Sequence, residues 1–378
     1  MAIPHGSNQS INTLTFLIHQ EVVDYDELIR LVGEDPRKRR VAPHVRQYRT
    51  VRNGEIIRRF TTEDIPESEL ALTDLSLDDL FNGVKRFDKR RLRRKKSGRR
   101  ALVIAMSDEQ LGKVDRFGGT PETLQRLEDI KAMILPYATE MQPDLIVQAH
   151  GGDLTEGDQS TTAQRATNDL SVTRQGEVGQ RYRTDWMLDF ASIAPQKAGG
   201  CVSNHDVERI GKGLAYKPFD DRGITVNRLA VETVTRLGFV IEACEPESEY
   251  IEWTIIDVFG WKIGIIHGHQ VRGGSKGVKA YFDKHIANNT SLAAVDILIV
   301  AHNHEEYVLQ IGRTAKGRAR TAIGLAPLDN GSAWFTNLSA ADSDPGVTTF
   351  VVNEETGLDL RSIQRWHRAE DMERAMAA

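Results

Sequence analysis

Cysteine is nearly absent from this chain: Cys201 and Cys244 are the only two, far apart and without Cys-x-x-Cys spacing. A disulfide scaffold and a zinc ribbon are excluded, a reducing compartment is expected, and both thiols read as ordinary core residues. No apolar run approaches the length of a membrane span, and the N-terminus has no basic-then-apolar signal pattern. The expected location is cytoplasmic, with no membrane partner. Internal repeats and long low-complexity tracts are lacking too. So is net positive charge: at -5 overall, a uniformly basic nucleic-acid coat is excluded. That balance conceals one cationic segment, because the 16 residues from Lys85 to Arg100 hold 11 Lys or Arg against one Asp, a local +10 that leaves -15 on the remainder. The run, which includes Arg93, Arg94, Lys95 and Lys96, reads either as a solvated linker or as a tract that binds a polyphosphate chain by counterion release.

What is present suffices for a sizeable core. A chain of 378 residues with 40% hydrophobic content suits a soluble protein of one large domain plus an accessory one. The expected division is an accessory module over 1–84, the basic linker over 85–100, the main domain over 101–366 and a tail over 367–378. Leu14, Leu17, Ile18, Val22, Tyr25, Leu28 and Leu31 are spaced for one face of a helix over 12–33, with Gly33 as its stop. A basic patch, Arg37 to Arg40, follows, and then Asn53-Gly54 between β-formers signals a hairpin. A small α-helical module resembling a winged helix fits this pattern, and so does a packing module without DNA contact. Residues 61–82, acidic and leucine-bearing, suggest a weak helix before the linker.

Beyond residue 100 strands and helices alternate, which implies an α/β domain. Strands are expected at Ala101–Met106, Asp144–Ala149, Ala198–Val202, Ile251–Val258, Trp261–His267, Val295–Ala301, Tyr307–Ile311 and Val347–Val352. Helices are expected from Thr120 as N-cap with Pro121 at the first helical position, and over about 180–194, 224–237 and 276–287. The strand-rich final part makes two facing sheets the expectation.

Polar clusters fall just after these strands: Ser107-Asp108-Glu109-Gln110, Gly151-Gly152-Asp153-Leu154-Thr155-Glu156-Gly157, Ser203-Asn204-His205-Asp206, His267-Gly268-His269 and Ala301-His302-Asn303-His304. Singly each is weak. An Asp after a strand is often a turn former, and a lone His-x-His reads equally as two surface histidines. Five in order are another matter, because loops at strand carboxyl ends share one rim and their ligands can converge there. If the segment is extended, His302 and His304 point the same way.

In that order the clusters resemble the calcineurin-like metallophosphoesterases, whose pattern runs Asp-x-His, Gly-Asp, Gly-Asn-His-Asp/Glu, His and Gly-His-x-His. The match covers roughly residues 101–355. The resemblance implies a four-layer αββα sandwich and two divalent cations, Mn2+ foremost, with Fe, Zn or Mg as alternatives. Asp108, Asp153 and His304 would hold one ion, and Asp153, Asn204, His267 and His302 the other, with Asp153 bridging. Three positions depart from the pattern: Gln110 for the first His, Ser203 for a Gly and Ala301 for a Gly. Ser203 and Ala301 are tolerable wherever φ is negative. A Gln oxygen can ligate a hard cation but is neutral and suits a borderline metal less than imidazole does, so the first ion would be weaker or exchangeable. Asp108-Glu109-Gln110-Leu111-Gly112-Lys113 resembles the Asp-x-Gln-x-Gly-Lys variant of phage-encoded members.

His205 is the expected general acid, and Asp206 would either support its charge or cap the following helix. His269 would contact phosphate or face solvent, and His150 reads as structural. Lys113, Arg116, Arg209 and Arg272 are phosphate-binding candidates against a default of solvated surface. The resemblance implies phosphodiester hydrolysis, and the basic linker directs that expectation to DNA, as in SbcD-type repair exonucleases, which work with an ATPase partner. A homo-oligomer is a further expectation. A small-molecule or cyclic-nucleotide phosphodiesterase and a non-catalytic nucleic-acid-binding protein are the alternatives.

Overall fold

The structure is a computed structural model that describes residues 3–4, 14–18, 29–30, 33–36, 39–41, 49–52, 55–64 and 98–371, excepting 160–167, 211–212, 315–316 and 333–342. The chain divides into two compact units, Met1–Gly83 and Val84–Ala378. In the first, β1 (Ile3–Pro4), β2 (Leu14–Ile18), β3 (Arg39–Val41), β4 (Arg49–Arg52) and β5 (Glu55–Asp64) form an antiparallel sheet around β5. The expected hairpin is present, with Arg52 opposite Glu55. The start of the helix expected over 12–33 is overturned: Leu14–Ile18 is a strand registered against Arg58 to Thr62, whereas Ile29 and Arg30 are helical and 19–28 lie outside the described residues. The run Leu-Thr-Phe-Leu-Ile offers a β-former surface to β5, and that pairing overrides an apolar spacing that also fits a helix. Of the weak helix expected over 61–82, Thr61 to Asp64 belong to β5, and 65–82 lie outside the described residues, as do Arg93, Arg94, Lys95 and Lys96.

The second unit is built on two large sheets, beside which β9 (Arg209–Ile210) and β10 (Gly213–Leu214) form a separate antiparallel pair. In one, β11 (Ile241–Cys244), β8 (Gln196–Gly200), β7 (Leu145–His150) and β6 (Arg100–Met106) run parallel, and β17 (Val347–Asn353) and β18 (Gly357–Trp366) extend it antiparallel. In the other the order is β12 (Thr254–Val258), β13 (Trp261–Ile266), β14 (Ile297–Val300), β16 (Ala319–Gly324) and β15 (Tyr307–Arg313), parallel at its centre. Parallel neighbours require long crossovers. These are the helices α1 (Thr120–Met141), α2 (Val172–Ala191), α3 (Arg222–Arg236) and α4 (Ser275–Ala287).

The alternation of side chains along each strand makes the layers. Leu102, Ile104 and Met106 of β6 pack with Leu127, Ile130 and Ile134 of α1 and with Tyr182, Trp186 and Phe190 of α2. Ala101, Val103 and Ala105 turn the other way and meet Ile263, Ile265, Ile297 and Ile299 of the second sheet. Leu298 and Val300 then pack under Val278 and Phe282 of α4. The order is helix, sheet, sheet, helix, so the expected αββα sandwich is observed. Cys201 is buried and Cys244 half-buried, and both are free thiols.

Three local details differ from expectation. Gly119, not Thr120, caps α1, its amide donating to Glu122 at 2.8 Å. Thr120 is held instead by Asp169, which takes its amide at 2.6 Å and its hydroxyl at 2.7 Å. Past β18 the chain stays attached, because buried Asp371 accepts a two-point hydrogen bond from fully buried Arg126 at 2.8 and 3.1 Å and another from Arg368 at 2.9 and 2.7 Å. Among the described residues no helix is long and apolar enough to cross a membrane.

Candidate metal centre

The carboxyl ends of β6, β7, β8, β13 and β14 lie along one rim, and each delivers its polar cluster there. The loop after β6 is tied to the loop after β7 by backbone bonds, Asp108 N to Gly152 O and Gln110 N to Asp153 O, both 3.0 Å. Asp108, Gln110, Asp153, His302 and His304 all take positive φ, between 41° and 70°. Non-glycine residues pay for this conformation, and it concentrates at functional sites. His302 and His304 therefore do not share a direction through an extended backbone, as expected; each is aimed by its own left-handed kink. Ser203 and Ala301 have negative φ, so neither needs the glycine it replaces. Gly152 does need to be glycine: at φ +92°, an added Cβ would lie 2.5 Å from the Ser203 Cβ.

Asp153, His267 and His302 meet with their ligand atoms within 4.8 Å of one another. His267 Nδ1 donates to the Gly151 carbonyl at 2.8 Å, which turns Nε2 into the cluster. There Nε2 lies 2.9 Å from Asn204 Oδ1, 3.0 Å from Asp153 Oδ2 and 3.2 Å from His302 Nδ1. One proton on Nε2 cannot serve three lone-pair atoms. A cation roughly 2.1 Å from each would place neighbouring ligands about 3.0–3.4 Å apart, which matches the spacing found. The backbone carbonyl on Nδ1 is the outer partner that a metal-bound imidazole commonly has.

Asp108 and His304 form a second pair, Oδ1 to Nε2 at 3.6 Å, with both side chains buried. That Oδ1 accepts no hydrogen bond. A buried carboxylate oxygen without a donor is costly unless a cation compensates it, so this pair also fits a metal. Asp153 Oδ1 accepts the His205 amide at 2.9 Å, leaving Oδ2 as the atom that faces the imidazoles, where both oxygens were expected to reach cations. Burial alone would raise the Asp108 and Asp153 carboxyls. His304 beside the first, and His267 with His205 beside the second, hold both below the usual carboxylate range. Burial and the neighbouring His267 charge push His302 down to about 4, while Asp153 outweighs burial and raises His267 to about 9, so a cation bound here would take the place of the His267 proton.

His205 Nδ1 donates to the Glu156 carbonyl at 2.8 Å and lies 3.4 Å from the Glu156 carboxylate, while Nε2 lies 4.0 Å from Asp153 Oδ2. Burial lowers its pKa, but Asp153 and Glu156 outweigh burial and bring it up to about 10. The partner of the ring is thus Glu156. Asp206, expected to play that part or to cap the next helix, does neither. Its oxygens accept from the Leu154 and Thr155 amides at 2.8 and 3.0 Å, from the Thr155 hydroxyl at 2.6 Å and from Ser203 at 3.1 Å. Asp221 caps α3, taking the Ile224 amide at 2.9 Å and the Ser203 amide at 2.9 Å.

His269 lies beside the cluster, its ring 5.6 Å from His267 and 6.2 Å from His302. Burial, with the His267 charge, pushes it down to about 3. Arg209, with Asn204, His205 and Arg222, lines a small cleft opening beside His205. The Gln110 carboxamide oxygen is not left facing the pair of Asp108 and His304: Lys113 Nζ donates to it at 2.6 Å. His150 is structural as expected, 3.1 Å from a guanidinium nitrogen of buried Arg183, which also pairs with Glu109. Sequence reading gave Glu156 no role although it stands in the Gly151 to Gly157 cluster, and it missed Asp221, Arg183 and Asp329, because each acts across the fold rather than within a motif.

The fold and the cluster define an α/β sandwich with a candidate metal centre at its strand carboxyl ends. No protein-family model and no curated protein matches the sequence. Among solved structures the chain is similar to wild-type Vps29 complexed with Zn2+ from Entamoeba histolytica, at 13% identity over 70% of this chain and 97% of that one, TM-score 0.29. It is also similar to the calcineurin-like phosphoesterase YfkN from Bacillus subtilis, at 13% identity over 71% and 90%, TM-score 0.30. A protein of unknown function, AQ665 from Aquifex aeolicus, is similar at 15% identity over 53% and 78%, TM-score 0.24.

Proposed function

We propose that this protein is a metal-dependent phosphodiesterase acting on DNA, of the SbcD-type branch of the metallophosphoesterases, with Mn2+ as its metal. The observation that carries the reaction class is the meeting of Asn204, Asp153 and His302 on His267 Nε2 at 2.9–3.2 Å, with His205 beside Asp153. Two divalent cations bound here would supply Lewis acidity toward phosphate and water. Asp153, Asn204, His267 and His302 fit one ion, and Asp108 and His304 the other. Water adds to phosphorus as the P–O bond to the leaving oxygen breaks, and His205, held in its protonated form by Asp153 and Glu156, donates its Nε2 proton to that oxygen. Glu156 fixes the ring by its Nδ1, so Nε2 keeps its aim. The substrate would rest on the basic run, chiefly Lys85 to Lys96, whose charge suits a polyphosphate backbone, since Arg99 pairs with Glu354 and Arg100 donates to the Met141 carbonyl.

Purified protein and a His205→Ala variant, assayed with Mn2+ on linear duplex, single-stranded and circular DNA beside a chromogenic phosphodiester, test this. DNA cleavage by the wild type, reduced by about 100-fold or more in the variant, is expected. Turnover of the chromogenic diester with no DNA cleavage would move the substrate to small phosphodiesters. Indistinguishable wild type and variant on every substrate would sink the enzymatic reading.

A further inference from the structure

Lys113 and Asp329 stand 216 residues apart and meet beside the second cation position, that of Asp108 and His304, Nζ to Oδ2 at 2.5 Å. Asp329 is fully buried, and the Lys113 side chain is 14% exposed, so the pair lies inside the protein rather than on a solvated surface. The same ammonium donates to Gln110 Oε1 at 2.6 Å. The geometry is rigidly built. Leu328 N donates to the Asp108 carbonyl at 3.1 Å, which fixes the segment carrying Asp329 against the strand end that carries Asp108. From behind, fully buried Arg126 binds the Leu328 and Asp329 carbonyls at 3.0 and 3.1 Å and the Asn330 side chain at 3.1 Å. The second Asp329 oxygen accepts the Gly331 amide at 3.2 Å, so both carboxylate oxygens are engaged within the protein.

Gln110 thus holds a resident cation of the protein's own. An oxygen that served Lys113 and a metal ion together would bring a +1 and a +2 charge to within roughly 5 Å of each other, where they repel strongly. We propose that the two cation positions are unequal by construction: Asp153, Asn204, His267 and His302 hold a resident ion, while the Lys113 ammonium, pinned by Gln110 and Asp329, keeps the ion at Asp108 and His304 weakly held and exchangeable. The proposal rests on the metal reading above and assigns Lys113 and Asp329 as positioning residues for the second ion. The lysine spares Asp329 from being buried as a lone charge while the site is singly loaded, and it removes a third ligand from the second position.

Mn2+ binding to the full chain, followed by equilibrium dialysis and by the electron paramagnetic resonance of free and bound Mn2+, tests this without an activity assay. The wild type is expected to take up two ions with Kd values at least tenfold apart. Lys113→Met is expected to tighten the weaker Kd tenfold or more and leave the tighter one unchanged. Lys113→Gln, which retains hydrogen-bonding capacity toward Asp329, should do the same and guards against a variant that fails to fold. Two ions bound within threefold of each other by the wild type, or a weaker Kd that both Lys113 variants leave unmoved, would overturn the proposal and leave the metal centre standing. No bound Mn2+ at all would overturn the metal reading and this proposal together.

Discussion

Glu156 and Asp206 lie in the loops on either side of His205, and their substitution is expected to separate proton delivery from loop folding. Glu156 touches the imidazole; Asp206 touches backbone and hydroxyls. Removing the Glu156 charge withdraws one of the two carboxylates that keep His205 protonated, so Glu156→Gln should lower its pKa. The alkaline limb of a kcat/KM against pH profile should then move to lower pH, with the folded protein retained. Asp206→Asn should instead lower the denaturant midpoint, by a loss of about 2 kcal/mol for a buried carboxylate that accepts from two amides. An unmoved limb in the first variant would refute the role of Glu156, and an unmoved midpoint in the second would refute that of Asp206. The two carboxylates could not be told apart by sequence, because each sits in a loop after a strand within reach of the same His. Only the direction of the chain after β7 and β8 decides which one meets the ring.

At the level of elements, the strands β6, β7 and β14 were legible because each is an apolar run buried on both faces, the pattern of a central parallel strand. The strands β11 and β18 were not. Both are sheet edges, and Ile-Glu-Ala-Cys and Gly-Leu-Asp-Leu-Arg-Ser-Ile-Gln-Arg-Trp mix charge into the alternation. The residues that meet at His267 Nε2, namely Asp153, Asn204 and His302, were legible because they follow strands in a fixed order; Asp329 was not, since it follows β16 outside any motif and pairs with Lys113 far upstream. One link between elements carries a pH signature. Asp371 joins α1 to the end of the chain through Arg126 and Arg368. Burial would raise its carboxyl, yet the two guanidinium groups bring it down to about 2. A carboxyl depressed in the folded state adds stability above its unfolded pKa of about 3.9, and that stability is lost as pH falls through the folded value. Denaturant unfolding of the wild type against Asp371→Asn should therefore differ by roughly 2 kcal/mol at pH 6 and converge toward pH 2. A gap that stays constant down to pH 2 would argue against the ion pair as its source. At the site itself, Gly152→Ala should force the β7 and β8 loops apart, since the new Cβ would meet Ser203 at 2.5 Å, and Mn2+ retention on dialysis should fall about tenfold or more. Unaltered retention would show that the loops can give way.

Across the whole molecule the charge is divided, +10 over Lys85 to Arg100 against -15 elsewhere. An acidic body repels a polyphosphate, so if DNA is the substrate as proposed, its binding would be driven by the basic run and would depend steeply on salt. Each phosphate neutralised on duplex DNA contributes about -0.9 to the slope of log K against log salt. Replacing Arg93, Arg94, Lys95 and Lys96 by Ser in the full chain should therefore flatten that slope by up to about 3.6 if all four engage phosphates. The same substitutions should raise KM for DNA while leaving kcat at saturation and turnover of a chromogenic phosphodiester unchanged, as expected of a tract that binds the polyphosphate without taking part in the chemistry at His205. The comparison separates a substrate-binding tract from a solvated linker. A linker would show the same slope before and after substitution, and DNA would then lose its warrant as the substrate while the chemistry at His205 and the metal ligands kept theirs.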